Sequence, residues 1–288
     1  MVASPEPEGS PRRVSVVVRA TKDRSHPEIV VEAVFGPLAR VVTRLLLPLR
    51  VPPSAVVLAN AGVGFVAAAA IVLDELVAAA LLLQLKTVLD NADGQLARAS
   101  GRTSALGRYL DTEADLLVNA ALFAAIAYET GSPVLGVAGF CAVTLVLSVD
   151  FNAEVLYRRA RGERVVTEPS ARDEGSAARM LQRAYHVIYG PQDRILQSFS
   201  RRRLERVLAH VSDPDAVRRA SRSYHDDFAL GVLANLGLST LLVVLGVCLV
   251  LNAPIVYPWL AVVAATVLLP ALQARRELIA RRAAGSPV

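Results

Sequence analysis

The feature that most constrains this chain is how its apolar residues are gathered. Six stretches, 54–73, 76–90, 105–128, 133–156, 228–251 and 254–274, are apolar enough to be read as bilayer spans, each of which needs about 20 mostly apolar residues. The second is short by strict apolar count and has to continue through the polar residues after Asp90. Backbone groups in hydrocarbon must be satisfied within their own segment, so such spans are helical. The expected fold is therefore all-α, a bundle of six transmembrane helices. Composition agrees, since 53% of the 288 residues are hydrophobic, against roughly 45–50% in soluble domains. The absence of a glycine period and the presence of only Cys141 and Cys248 exclude collagen and disulfide-scaffold classes.

Orientation follows from the basic residues. The turns after spans one, three and five, at 74–75, 129–132 and 252–253, carry no Arg or Lys. The N-terminal segment, the connection with Arg98, Arg102 and Arg108, the long connection after span four, and the tail with Arg275, Arg276, Arg281 and Arg282 hold all basic residues but Lys86. By the positive-inside rule both termini of this multi-pass cell-membrane protein are expected to be cytoplasmic. The first thirty residues lack an apolar signal-peptide core, so the first span is expected to direct insertion.

Outside the spans, residues 1–26 divide into a Pro, Glu and Ser-rich stretch, expected to be disordered, and a short strand at 13–19. Residues 27–50 repeat apolar side chains at helical spacing, punctuated by Arg40, Arg44 and Arg50, and are expected to form an amphipathic helix in the membrane interface. The membrane domain would span 51–285, interrupted between spans four and five by a cytoplasmic, arginine-rich helical insert at 157–225. Short amphipathic helices are expected there at 177–188 and 201–210. Anionic headgroups and the positive-inside bias account for the arginine excess, so a nucleic-acid partner is not expected.

The polar end of span two runs Asp90-Asn91-Ala92-Asp93-Gly94-Gln95-Leu96-Ala97-Arg98, and span three begins Gly107-Arg108-Tyr109-Leu110-Asp111-Thr112-Glu113-Ala114-Asp115. Residues 90, 93, 94, 97 and 98 share one helical stripe, and 107, 111 and 115 share another. Two antiparallel helices joined by a short turn would aim Asp90, Asp93, Asp111 and Asp115 at one point. Converging carboxylates at a membrane surface repel one another and lose hydration, a cost that a pair of divalent cations offsets. Oxygen ligands without His or Cys suit Mg2+ or Mn2+. Gly94, Ala97 and Gly107 clear bulk from the stripes for a nucleotide, and Arg98 stands where it can grip a phosphate. Residues 91–94 also fit a plain turn between spans, which would leave Asp111 and Asp115 unexplained. An EF-hand loop fails because Ala92 and Gly94 occupy ligand positions.

The string D-x2-D-G-x2-A-R-x8-G-x3-D-x3-D, from Asp90 to Asp115, resembles the signature of the CDP-alcohol phosphotransferase family at every defining position. The resemblance implies transfer of a substituted phosphoryl group from a CDP-alcohol to an acceptor hydroxyl, with release of CMP. It further implies that Asp90, Asp93 and Asp111 hold two metal ions, and that Asp115 is the general base and also a metal ligand. Gly94, Ala97, Arg98 and Gly107 would frame the CDP moiety, and the enzyme would be a homodimer. Ser54 and Val57 depart from the family's polar pattern at the start of span one, and the long insert is unlike compact members. Two donors fit the resemblance: CDP-diacylglycerol, placing the enzyme in phospholipid synthesis, or a CDP-polyol such as CDP-inositol, since Pro37-Leu38-Ala39-Arg40 is similar to members making inositol phosphodiesters. Lys86, Arg158 and Arg159 are candidates for the acceptor pocket, Lys86 alternatively pairing with Asp90. Asp150, Asn152 and Glu154 stand in the same region. Asn60 and Asn119 are expected to bond between helices. A cation-coupled transporter would also place carboxylates in a membrane, but it has no need of the small residues or Arg98.

Overall fold

The computed structural model describes residues 25–163, 165 and 175–285. The expected disorder of the first residues and the strand at 13–19 lie outside the described residues, among which there is no strand. A π-helical turn, Val31–Phe35, runs into α1 (Gly36–Leu46). There follow α2 (Pro53–Val72), α3 (Leu76–Ser100), α4 (Ala105–Glu129) and α5 (Pro133–Ala160). The insert supplies α6 (Ser176–Leu208) and α7 (Pro214–Tyr224). The chain ends with α8 (Asp227–Ala234), α9 (Leu238–Val250), α10 (Val256–Val263), a second π turn at Ala264–Leu268, and α11 (Leu269–Ala283).

Four helical stretches are long and apolar enough to cross a membrane: Pro53–Val72, Pro133–Ala160, Pro214–Val250 and Val256–Ala283. The chain is a membrane protein on this ground. The expectation of six spans is thus supported for four. The other two candidates, α3 and α4, carry most of their charged residues towards the ends joined at 101–104 and do not meet the same measure of apolarity.

The core forms where α2, α3, α4 and α9 meet, around Ile71, Leu83, Leu122, Ile126, Leu242 and Leu245. Close approach of α2 and α4 depends on Gly64, where an added Cβ would fall 2.4 Å from Val118 Cγ1. α1 presents its small residues Gly36, Ala39 and Thr43 inward, lies along α3, and leaves Leu38, Val41 and Leu45 exposed. Thr43 Oγ1 donates to the Ala92 carbonyl at 3.3 Å, tying α1 to the back of the polar half of α3.

Two elements differ from the sequence expectation. Stretch 228–251 is broken at Asn235–Gly237, where Asn235 Oδ1 accepts the Ile29 N–H at 3.0 Å and its Nδ2 donates to the Gly231 carbonyl at 2.9 Å. The Glu28 carboxylate fills the space at Gly237, placing an acid at the electropositive start of α9. Within the insert, the stretches 177–188 and 201–210, expected as separate short helices, fall in or at the end of one continuous α6 despite Gly190 and Pro191 near its middle. The π turn at 264–268 has a local cause, because Pro270 has no N–H to donate to the Thr266 carbonyl.

Candidate active site

The polar half of α3 is helix rather than turn. Asn91, a residue that readily leaves helices, is held by donating from Nδ2 to the Thr87 carbonyl at 2.8 Å, and Ser100 donates to the Leu96 carbonyl at 2.7 Å. The helix stops at Gly101, whose φ of +68° is the left-handed conformation that glycine adopts without strain, and whose N–H bonds the Arg98 carbonyl. Ser104 then caps α4 by accepting the Gly107 N–H at 3.0 Å. The stop and the cap fold α4 back beside α3 and set the two aspartate stripes face to face.

Asp90, Asp93 and Asp111 each bring a carboxylate oxygen within 4.8 Å of the others. Asp93 is 6% exposed, and its Oδ2 is buried without a hydrogen-bond partner in the protein. A buried carboxylate oxygen left unbonded is costly unless a cation supplies the missing contact. The set offers only hard oxygen donors, so the residues present fit Mg2+ or Mn2+. Asn60 Nδ2 donates to Asp90 Oδ1 at 3.2 Å, which meets the interhelical bond expected of Asn60 and fixes one ligand from α2.

Asp115 has a different setting. Its Oδ1 accepts from Lys86 Nζ at 2.7 Å, while Lys86 stands 3.9 Å from Asp90 Oδ1. Lys86 is only 1% exposed. It sits inside the helix bundle, bonded to Asp115 on the facing helix. Asp115 stands beside the three-carboxylate group rather than within it.

Of the residues expected to frame a nucleotide, Gly94, Ala97, Arg98 and Gly107 are all half-buried on the facing stripes. An added Cβ on Gly94 would lie 3.2 Å from Arg98 Nη1, so the guanidinium folds over the bare backbone one turn before it. At Gly107 the nearest atom to an added Cβ is the capping Ser104 Oγ, at 3.2 Å.

The remaining acceptor candidates lie at the end of α5. Arg158 pairs with Glu163, and Arg159 donates to Gln197 Oε1 at 3.4 Å. Glu154 accepts from Ser25, from both its N–H and its hydroxyl. Asn152 is buried and bonds α6, donating to Asp193 Oδ1 at 2.7 Å and accepting from Gln197 Nε2 at 2.9 Å. Sequence reasoning missed α6 as a neighbour of the site. Ser148 Oγ donates to Gln192 Oε1 at 3.0 Å, and Tyr185 of α6 packs at a tilt against Tyr109 of α4 and stacks with Tyr189. Burial pushes the Tyr189 hydroxyl above its ordinary pKa, and the nearby carboxylates of Glu113 and Asp115 push it further. The spaced tyrosines of α6 were the only available signal, and they are equally common in plain packing.

Residues 50–172 match the family model for CDP-alcohol phosphatidyltransferase, a range that contains the whole aspartate motif and α2 to α5. Residues 50–172 are a CDP-alcohol phosphatidyltransferase domain. A stretch of 93 residues is 39% identical to the bifunctional IPC transferase and DIPP synthase of Thermococcus kodakarensis, covering 32% of this chain and 21% of that protein. The chain thus matches about a fifth of the length of that curated relative. No solved structure matches the chain. The CDP-alcohol phosphatidyltransferase match ends within the insert, so α6 and everything after it lie beyond the matched range.

Proposed function

We propose that the protein is a divalent-metal-dependent CDP-alcohol phosphotransferase of the cell membrane. The observation that carries this reading is the convergence of Asp90, Asp93 and Asp111 within 4.8 Å inside the matched domain. Asp90, Asp93 and Asp111 would hold Mg2+ or Mn2+, two ions in all, and Asp115, one helical turn beyond Asp111, would also serve as a ligand. When bound, these ions offset negative charge on the pyrophosphate and on the CMP leaving group. Gly94 and Ala97 leave room for the CDP moiety against the α3 backbone, Gly107 does so on α4, and Arg98 grips a phosphate oxygen. Lys86 fixes Asp115 through Oδ1, so that the carboxylate is held in place to take the proton of the acceptor hydroxyl. The acceptor oxygen forms the new P–O bond, the bond from that phosphorus to the CMP oxygen breaks, and the proton goes to Asp115.

The donor in the first reading is CDP-diacylglycerol, which makes the product a phospholipid. The name of the Thermococcus relative, an IPC transferase and DIPP synthase, favours a second reading in which the donor is a CDP-polyol such as CDP-inositol. In either case the aspartates lie on the arginine-rich, cytoplasmic side, both termini are cytoplasmic, residues 27–50 rest in the interface, and two copies form a dimer.

The test is CMP release by purified protein given CDP-diacylglycerol or CDP-inositol, a panel of acceptors, and Mg2+ or Mn2+. Chelation with EDTA is expected to abolish it, and Asp93→Asn is expected to weaken Mn2+ binding at least about tenfold, read by electron paramagnetic resonance. The double variant Asp93→Asn, Asp115→Asn is expected to lose CMP release. Full activity in that variant overturns the mechanism, and CMP-independent cation flux by the wild type would favour the transporter.

A further inference from the structure

The insert ends in a short helix whose polar face has no part in the proposed reaction. On α7, Asp215, Arg218, Arg219 and Arg222 recur at helical spacing and share one face. Ala216, Ala220 and Tyr224 form the other face and are buried, Tyr224 packing with Val207 of α6 and Ala280 of α11. The polar face borders an open cavity of about 630 Å3, within the range of about 300–1,000 Å3 usual for small-molecule sites. Ala160, the last residue of α5, stands in the same wall, as do Ser221 and His225.

Three guanidinium groups line this cavity against one carboxylate. Arg218 is held by Asp215 at 2.8 Å, and Arg219 stands 3.7 Å from Asp213. Arg222 has no ion pair or side-chain hydrogen bond among the described residues. Two buried groups in or beside the wall also lack partners. His225 is 9% exposed, and its Nδ1 is buried with no hydrogen-bond partner. Arg276 of α11 is 7% exposed, and its Nε is buried and unbonded in the same way. Arg276 lies between Gln273, which donates to Tyr224 Oη at 2.8 Å, and Ala280, which packs on Tyr224, the residue before His225. Buried donors left unbonded are costly, and an anion that accepts from them removes the cost.

The cavity is separate from the aspartates. Among the described residues none from α3 or α4 lines it. Ala160 lies eight residues beyond Asn152, about 12 Å further along α5. The cavity sits where the span of α5 ends and the next apolar stretch begins at Phe228, on the arginine-rich side.

We propose that the polar face of α7 and His225 form a binding site for a phosphate group outside the reaction centre, with Arg219 and Arg222 as its anchors. A phosphate offers several acceptor oxygens to the guanidinium forks, the Ser221 hydroxyl and the His225 ring N–H, whereas a halide would leave most of these donors unmet. An anionic phospholipid headgroup and a soluble phosphate ester share this chemistry.

The test titrates the full chain, purified in detergent and stripped of lipid, in the presence of EDTA, so that no metal-held phosphate contributes. Native mass spectrometry counts bound phosphatidylglycerol against phosphatidylcholine, and equilibrium dialysis measures bound inorganic phosphate and glycerol 3-phosphate. Arg219→Gln with Arg222→Gln is compared with Arg201→Gln with Arg202→Gln, which removes the same charge from α6; all four arginines are exposed, so neither pair endangers folding. The α7 pair is expected to weaken binding of phosphatidylglycerol, of the soluble phosphates or of both at least about tenfold, and the α6 pair less than about twofold. Loss of phosphatidylglycerol alone assigns the site to a lipid headgroup, and loss of the soluble phosphates alone assigns it to a soluble ester. Loss of both assigns it to the phosphate itself, whatever carries it. A wild type that holds neither ligand, an unmoved α7 pair, or equal loss in both pairs overturns the site. A raised acceptor KM for CMP release in the α7 pair overturns its separation from the reaction centre.

Discussion

At the residue scale the site turns on the buried pair of Lys86 and Asp115. Removing one partner of a buried ion pair leaves the other charged and unsatisfied, typically at a cost of about 3–5 kcal/mol, whereas removing both and filling the space with apolar groups is often close to neutral. Lys86→Met is therefore expected to lower stability in detergent by about 3 kcal/mol, measured by thermal or denaturant unfolding. Lys86→Met combined with Asp115→Leu is expected to regain most of that loss while remaining inactive in CMP release. A double variant no more stable than Lys86→Met would show that the pair is not the unit that the 2.7 Å contact implies. The spacing of the aspartates was legible in the sequence, because i to i+3 and i+4 intervals place side chains on one helical face without any knowledge of packing. The partner of Lys86 was not. Local spacing offers Asp90 at i+4, and the shorter bond goes instead to Asp115, 29 positions away on the facing helix.

At the element scale the helix bounds follow from hydropathy, and the departures follow from single contacts that hydropathy does not register. α2 and α4 were readable as runs, and their ends fall within one residue of the expected 54–73 and 105–128. The break before α9 was not readable, because its stabilising partners, Glu28 and the Ile29 N–H, come from some 200 residues earlier. The unbroken α6 defeats the usual reading of Gly-Pro as punctuation, since packing of Tyr185 against Tyr109 and bonds to Ser148 and Asn152 hold both halves in place. The crossing of α2 with α4 is set by the missing side chain at Gly64. Gly64→Leu would drive atoms into Val118 and is expected to cost about 1–3 kcal/mol, with some loss of CMP release because Asn60, one turn away, positions Asp90. Pairing it with Val118→Ala should recover part of both. A Gly64→Leu protein with unchanged unfolding would mean that α2 and α4 do not pack as closely as the 2.4 Å figure requires.

At the scale of the whole molecule, charge and chemistry have to share one side of the bilayer. In the proposed reaction the nucleotide part of the donor must reach Asp90, Asp93 and Asp111, and the same ends of α3 and α5 carry or adjoin Arg98, Arg102, Arg158 and Arg159. The opposite ends of α4 and α5 meet at Thr130–Ser132, a turn with no basic residue. Since Arg and Lys retard translocation, the loop with neither should be the one exported. Single cysteines in a background lacking Cys141 and Cys248 test this directly. Glu129→Cys, exposed at the end of α4, is expected to react with a membrane-impermeant maleimide on intact cells. Ser198→Cys, exposed on α6, is expected to react only after permeabilisation. The reverse pattern would place the aspartates on the outer side, where cytoplasmic CDP-alcohols do not reach them, and would remove the basis for the proposed reaction even with its geometry intact.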